Sequence, residues 1–368
     1  MTKVLQVLGR SAGGIARHVA QVTDALDGEP GFTVDIAGPT DLPVALPKLP
    51  LPLAIPDGPF GHRAAVRELR RIVAEGGYEV VHAHGLRASI DAGRASGPLQ
   101  IPTVATIHNL VRADIVGRFK APLYRLSERL SLRSSTRTFA VSEDIASHLR
   151  ALDPSRAARI ETLYLGIGDA PAVTRGRRAV RSELGIPDDH SLIVTAARLS
   201  AQKALHVMIQ AVARLPGATL AVMGEGPLEG ELKDVVTVEH LEDRVLFLGF
   251  RADVHDVIAA ADAFCLSSVW EGVPLAAQEA ILLGVPVVTT AVGGMEELIA
   301  DRVSGRAVPK NDPIALASAL NEVLRDEVTA KGYADAALES VRRRFSTTKM
   351  LDRLKRAYVD AARGEGTS

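Results

Sequence analysis

The sequence predicts an α/β protein made of two doubly wound parallel sheets. Three observations carry this. Short β-branched runs alternate with helix-length amphipathic segments along the whole chain. No short-period repeat breaks the rhythm, which excludes a solenoid. At 368 residues the chain is also longer than one hydrophobic core usually supports.

In the first half the strand candidates are KVLQVLG (3–9), FTVDIAG (32–38), EVVHAHG (79–85), PTVATIH (102–108), TRTFAVS (136–142) and RIETLYL (159–165). Amphipathic helical segments fall between most of them, at 14–26, 63–75 and 122–134. Strands of this length separated by helices form right-handed βαβ units. The second half repeats the order with LIVTAARL (192–199), ATLAVMG (218–224), RVLFLG (244–249), DAFCLSS (262–268) and VPVVTT (285–290). Between the halves, GDAPAVTRGRRAV (168–180) is rich in Gly, Ala, Pro and Arg and reads as a linker. The expected domains are therefore 1–170 and 176–345, followed by a terminal helix within 346–368.

Composition narrows the class. Apolar content of 47% and charged content of 24% are those of a soluble globular protein, and a net charge of −1 gives no sign of nucleic-acid binding. The single cysteine, Cys265, excludes an intrachain disulfide and a metal site with two thiolates, which favours a cytoplasmic setting. The start lacks the apolar region of a signal peptide, and no stretch is apolar for long enough to span a membrane.

Ligands of doubly wound sheets bind beyond the carboxyl ends of the strands, so the residues just after each strand matter most. After the first come Gly9, Gly13 and Gly14 ahead of a helix. The spacing is neither GxGxxG nor a P-loop, and it fits a tight turn and an anion-facing helix start equally well. After LIVTAA come Arg198 and, five residues on, Lys203, which are either a diphosphate clamp or solvated surface cations. The stretch SSVWEGVPLAAQEA (267–280) holds two carboxylates. Gly272 permits a sharp turn there, and Pro274 suits the first helical position. Free N–H groups from Val273 to Ala276 place about half a unit of positive charge at the helix start, where phosphate oxygens would be stabilised. Glu279 lies about 6 Å further along the axis than Leu275. With Leu275, Ala276 and Leu283 as helical neighbours, it is expected on the apolar face, at a depth that suits two ribose hydroxyls. Glu271 would face the other side of the phosphates.

E-G-V-P-L-x-x-x-E, with seven residues between Glu271 and Glu279, resembles the EX7E signature of the family-four retaining glycosyltransferases of GT-B fold. The neighbouring segments are similar in the same order: RLSAQKALHVMIQAV (198–212), LAVMGEGPL (220–228), VLFLGF (245–250), GVPVVTTAVGGMEELI (284–299) and GRAVP (305–309). In the first half the GG loop at 13–14, VVHAHG (80–85), TIHNL (106–110) and AVSE (140–143) also resemble the family. The resemblance implies two Rossmann-like domains facing across a cleft that closes on the donor, with the 346–368 helix packing back on the first domain.

It also implies roles. Arg198 and Lys203 would neutralise the departing diphosphate, Glu279 would hold the ribose, and Glu271 would hold hydroxyls of the transferred sugar. Gly272, Val273, Pro274 and Leu275 would meet phosphate or sugar, and Phe250 and Arg251 would lie near the nucleobase through main-chain contacts. Gly13 and Gly14 would approach the diphosphate, and His108 would lie beside the anomeric carbon. A second reading of His108 is a core histidine with satisfied hydrogen bonds, which is the preferred reading for His82 and His84. Val273, Ser267 and Leu165 stand where the family often has Phe, Pro and Asn, which leaves the finer donor contacts open.

The implied reaction is a retaining hexosyl transfer from a nucleotide-diphosphate sugar to a glycan, lipid-linked or small-molecule hydroxyl. No cofactor is expected, and with no Asp-x-Asp in the chain no metal either. The segment 112–137 holds seven Arg or Lys against two acids, with Leu123, Leu126 and Leu130 at helical spacing. It reads first as a domain helix with a solvated basic face, and second as a helix lying on the inner face of an anionic membrane. The Pro-rich stretch 39–59 either borders the acceptor site or is a stiff surface connection. Rival functions are a nucleotide-sugar epimerase or sugar phosphorylase of the same fold, or a non-catalytic nucleotide-sugar sensor.

Overall fold

A computed structural model describes residues 1–10, 14–42, 44–58, 60–110 and 121–365, with the backbone alone at 121. The chain divides into two units, Met1–Gly166 with Phe345–Ser368, and Ile167–Arg344.

In the first unit, β1 (Thr2–Leu8) is an interior strand of a parallel sheet. On one side lie β2 (Phe32–Gly38) and β3 (Leu51–Pro52), and on the other β4 (Val80–His84), β5 (Thr103–Ile107), β6 (Arg137–Ala140) and β7 (Ile160–Thr162). The order β3-β2-β1-β4-β5-β6-β7 puts a topological switch between β1 and β4. Successive side chains alternate faces, so Leu5, Val7, Val81 and Ala83 pack toward α2 (His62–Gly76) and α3 (Leu86–Ser96). Val4, Val80, Val104 and Phe139 pack toward Met350, Leu354 and Tyr358 of the last helix, Thr347–Ala362. Covering both faces explains why these strands are buried at nearly every position instead of alternating between buried and exposed. Among the described residues, the remaining α-helices of this unit are α1 (Gly14–Asp27), α4 (Ala121–Ser134) and α5 (Glu143–Leu152).

The second unit opens with α6 (Arg177–Glu183), so the expected linker 168–180 ends in a helix. Its parallel sheet, in the order β10-β9-β8-β11-β12-β13, switches between β8 (Ser191–Ala196) and β11 (Ala263–Leu266). The flanking strands are β9 (Ala218–Met223), β10 (Val245–Gly249), β12 (Val287–Thr290) and β13 (Arg306–Val308). Around it lie α7 (Leu205–Val212), α8 (Glu229–Val238), α9 (Val254–Ala259), α10 (Leu275–Leu282), α11 (Met295–Leu298), α12 (Pro313–Arg325) and α13 (Glu327–Arg344). The last helix, Thr347–Ala362, is α14 of the first unit.

Three details differ from the sequence reading. The short edge strands β3 and β13 were not expected. The expected strand 159–165 stops at Thr162, because the chain turns there toward α14: Tyr164 packs on Phe345 with ring centroids 4.9 Å apart, and the Gly166 N–H lies 2.9 Å from Met350 Sδ. That contact closes the first unit at Gly166 rather than at 170.

Candidate functional site

In the second unit, three loops leave the carboxyl ends of adjacent strands and are tied to one another. From the β8 side, residues 201–203 form one 3-10 turn, and Ala204 then adopts φ +44, a left-handed conformation unusual for a residue with a Cβ. Ser267, just after β11, donates its hydroxyl to the carbonyls of Lys203 and Ala204, at 3.0 and 3.1 Å, which holds that turn. Val269 N–H bonds Gln202 O, and Gln202 Nε2 returns a bond to Trp270 O. From β12, Thr290 Oγ1 donates to Ser268 O, and further on Gly294 N–H donates to Glu271 O.

The product of this bracing is a desolvated ion pair. Lys203 Nζ lies 2.5 Å from Glu271 Oε1, and Ser268 Oγ donates to the same oxygen at 2.5 Å. The side chains are 18% and 6% exposed, so water screens the pair little. Arg198, on the same side, is exposed and has no partner among the described residues. The three expected charges at this strand end thus differ: one pair is fixed, and one cation is free to meet an anion.

The helix carrying Glu279 begins at Leu275. Pro274 has extended backbone angles, φ −71 and ψ 126, so it caps the helix instead of occupying the first helical position. Glu279 also departs from expectation. It is not sealed on the apolar face but 17% exposed, with Oε1 3.5 Å from His255 Nε2 of α9. The reason is that α9 packs beside this helix and offers a polar edge that a helical wheel cannot show. The sequestered polar side chain is its neighbour Gln278, whose amide is 1% exposed and has no partner among the described residues. Gly272 and Val273 are buried in the turn. Phe250 is 78% exposed, whereas the Arg251 guanidinium is held by Asp253 and Glu183. Its hydrogen bond to Asp253 is the main cause of a raised guanidinium pKa and of an Asp253 carboxyl lowered to about 2. Only the main chain of Arg251 is left for a ligand.

The first unit has its own candidate site, at its switch point. Gly13 lies outside the described residues, and Gly14 opens α1 at an exposed position. A cleft of about 260 Å³ is lined by Gly9, Ile55, Asp57, His84, Gly85, His108, Asn109 and Tyr124 among others. The Pro-rich stretch therefore does line this cleft, through Ile55, Pro56 and Asp57. His84 and His108 of this lining are buried together with His18 and His82 behind them. Burial pulls His18 down to about 4 and His82 to about 3, and with neighbouring imidazoles it holds His84 and His108 well below the usual histidine range. All four are neutral at pH 7. His82 bonds Tyr358 Oη and Thr106 Oγ1, and His84 bonds Gln6 Oε1 and His108 Nε2. His82 and His84 are satisfied core histidines, while His108 has one nitrogen engaged.

Sequence reasoning missed Gln6, His18, Tyr358 and Ser268. Of these, Ser268 stood inside the 267–280 stretch and His18 four residues after Gly14. Among the described residues, no group of three or more His, Cys, Asp or Glu could hold a metal ion, and no helix is long and apolar enough to cross a membrane. Residues 111–120 of the basic segment lie outside the described residues, and in α4 Leu123 and Leu126 are exposed rather than packed.

Two doubly wound α/β units in one chain are the architecture of the GT-B glycosyltransferases. The models of two families match in sequence along the chain, Glycosyltransferase Family 4 over residues 12–170 and Glycosyl transferases group 1 over residues 176–340. The D-inositol 3-phosphate glycosyltransferase of Mycolicibacterium smegmatis is 30% identical over 300 residues, covering 78% of this chain and 68% of that protein. The chain belongs to the family-four glycosyltransferases. It is also 26% identical over 306 residues to the UDP-Gal:alpha-D-GlcNAc-diphosphoundecaprenol alpha-1,3-galactosyltransferase of Escherichia coli, covering 79% of this chain and 78% of that one. Among solved structures, Anabaena HepE in complex with UDP and glucose is similar in fold, with a TM-score of 0.83 at 22% identity over 98% of this chain and 100% of that one.

Proposed function

We propose that the protein is a retaining, metal-independent hexosyltransferase that uses a nucleotide-diphosphate sugar and a hydroxyl acceptor. The observation that carries this reading is the Lys203–Glu271 pair, a fixed cation and a fixed acceptor set together at a strand switch point. Lys203 and Arg198 stabilise the charge that grows on the leaving diphosphate. Glu271 accepts from hydroxyls of the transferred sugar, and since both its protein contacts are to Oε1, Oε2 is the oxygen for a ligand. Glu279 accepts from the ribose. The main chain of Gly272, Val273, Pro274 and Leu275 receives phosphate or sugar, and that of Phe250 and Arg251 lies near the base. In the first unit Gly13 and Gly14 serve the diphosphate, and His108 serves the reacting sugar.

In the transfer itself, the bond from the anomeric carbon to the diphosphate oxygen breaks. The acceptor oxygen bonds that carbon on the same face, and its proton passes to a phosphate oxygen of the leaving group. The donor class is supported by HepE, solved with UDP and glucose, and by the E. coli relative named for UDP-galactose. That relative's name also includes a diphosphoundecaprenol acceptor, which supports a lipid-linked acceptor at an anionic membrane. Exposed Leu123 and Leu126 beside Arg125, Arg129 and Arg133 are the surface a bilayer would meet. Sedimentation with anionic vesicles at low salt tests that contact, and its absence removes the membrane from the reading.

The decisive experiment supplies sugar nucleotides and hydroxyl acceptors in excess EDTA and reads the product's anomeric configuration by NMR. Retained configuration with acceptor-dependent release of nucleoside diphosphate is expected. Inversion, or loss in EDTA restored by magnesium, would overturn the reaction as written.

A further inference from the structure

A chain of hydrogen bonds runs from the last helix to the cleft of the first unit, and the orientation of the Gln6 amide assigns the donor of each link. Gln6 Nε2 donates to Tyr358 Oη at 3.2 Å. The phenol oxygen then needs an acceptor for its own hydrogen, and His82 Nδ1 stands 2.6 Å away. His82 is neutral, so with Nδ1 accepting its Nε2–H donates to Thr106 Oγ1 at 2.8 Å. On the other side of the amide, Gln6 Oε1 can only accept, so the facing His84 Nε2, at 2.5 Å, carries a hydrogen. His84 is also neutral, which leaves its Nδ1 as a lone pair. His108 Nε2, 3.2 Å from that lone pair, must therefore be the donor. The remaining nitrogen of His108, Nδ1, is left unprotonated.

Burial makes this order consequential. Gln6, His82, His84, Thr106 and Tyr358 are all less than 5% exposed, so water cannot repair a link that points the wrong way. If the Gln6 amide were turned over, every donor from Tyr358 to His108 would reverse, and His108 would present Nδ1–H in place of a lone pair. Tyr358 is the outer anchor of the chain, 352 positions from Gln6 in sequence. His108 lines the cleft, and its Nδ1 has no hydrogen-bond partner among the described residues.

We infer that Tyr358 is a positioning residue for His108: through Gln6 and His84 it fixes His108 as the Nε2–H tautomer and presents Nδ1 to the cleft as an acceptor for a substrate hydroxyl. Nothing in the reaction requires α14 to touch substrate, and its phenol acts from behind the site. The inference rests on the proposed role of His108, and the tautomer is measured independently of turnover.

The test is a long-range proton–nitrogen NMR spectrum of the full chain labelled with ¹⁵N-histidine, at pH 7.5. His84 and His108 are expected as Nε2–H tautomers, and a His108 bearing Nδ1–H overturns the inference with no variant needed. In Tyr358→Phe the amide of Gln6 loses its anchor. The His108 signals should shift toward the other tautomer, and kcat should fall roughly 10–100-fold, as for partners behind metal-bound histidines, while the donor KM holds. An unchanged His108 tautomer in folded Tyr358→Phe also overturns the inference. Gln6→Leu, which removes the central link, repeats the comparison should the first variant fold poorly. Full activity in His108→Ala would instead remove the catalytic reading of His108 while leaving the tautomer result standing.

Discussion

The ammonium of Lys203 lies 2.5 Å from Glu271 Oε1, although the two residues are 68 positions apart and follow different strands. The contact exists because Ser267 and Gln202 tie the two loops together before either side chain is considered. It separates two cations that look alike in sequence. Lys203→Ala strips a buried carboxylate of its counter-charge and should cost about 2 kcal/mol of stability, reduced from the fully buried case because Lys203 is partly exposed. Arg198→Ala removes an exposed side chain without a partner and should change stability by no more than about 0.5 kcal/mol. Both should lower kcat by about 10²–10³ if the two cations meet the leaving diphosphate. Melting curves and initial rates on the same preparations separate the effects. Normal turnover in either folded variant removes that residue from the mechanism.

The strands and the charged loop were legible in the sequence because both leave local signals. Strands β1, β4 and β5 are buried on both faces and so are short runs rich in Val, Leu, Ile and Ala, each with a glycine or proline at one end. Strands β3 and β13 are two and three residues long at sheet edges, too short for any periodicity to register, and Pro52 argues against a strand except at such an edge. The burial of Glu279 was misjudged because a helical wheel reports neighbours on its own helix, and His255 comes from another. Gln6, His82 and Tyr358 form one network only after β1, β4 and α14 have packed, and no spacing rule joins positions 6 and 358.

Glu279→Gln keeps the volume of the side chain and removes its charge. If the carboxylate accepts from the ribose hydroxyls, the loss of charge-assisted hydrogen bonds is worth about 1.5–3 kcal/mol, roughly 10–100-fold in affinity for a nucleoside diphosphate. Isothermal titration calorimetry with UDP, GDP and ADP reads this directly. Equal affinity in both proteins would move the ribose contact to another residue.

Gly294 has φ −66, an ordinary helical value, so its need for glycine is one of space and not of backbone conformation. A Cβ there would stand 1.8 Å from the carbonyl oxygen of Gly272, which is backbone and cannot swing aside. Gly294→Ala should therefore push the 271–273 turn outward, and a displacement of about 1 Å can cost about 10²-fold in rate. Limited proteolysis distinguishes this from unfolding, since the rest of the second unit should stay resistant. Wild-type rates in the alanine variant would show that the turn is not part of the site.

His18 supplies a pH test because neither of its ring nitrogens has a partner among the described residues. Burial alone lowers its pKa from 6.5 to about 4, so between these values the unfolded chain takes up a proton that the folded chain refuses. Unfolding free energy therefore rises with pH across that window. The stability is fully present above pH 6.5 and is lost as the pH falls toward 4. A shift of this size corresponds to about 3 kcal/mol for His18, and the depressed His82, His84 and His108 steepen the same fall. His18→Leu replaces two unpaired buried nitrogens with an apolar side chain of similar size, so it should leave stability at pH 8 equal or higher. At pH 5 it should raise the urea midpoint clearly above that of the wild type. A variant and wild type with parallel midpoints from pH 8 to pH 5 would mean that His18 does not titrate on unfolding, and that the acid loss belongs to other groups.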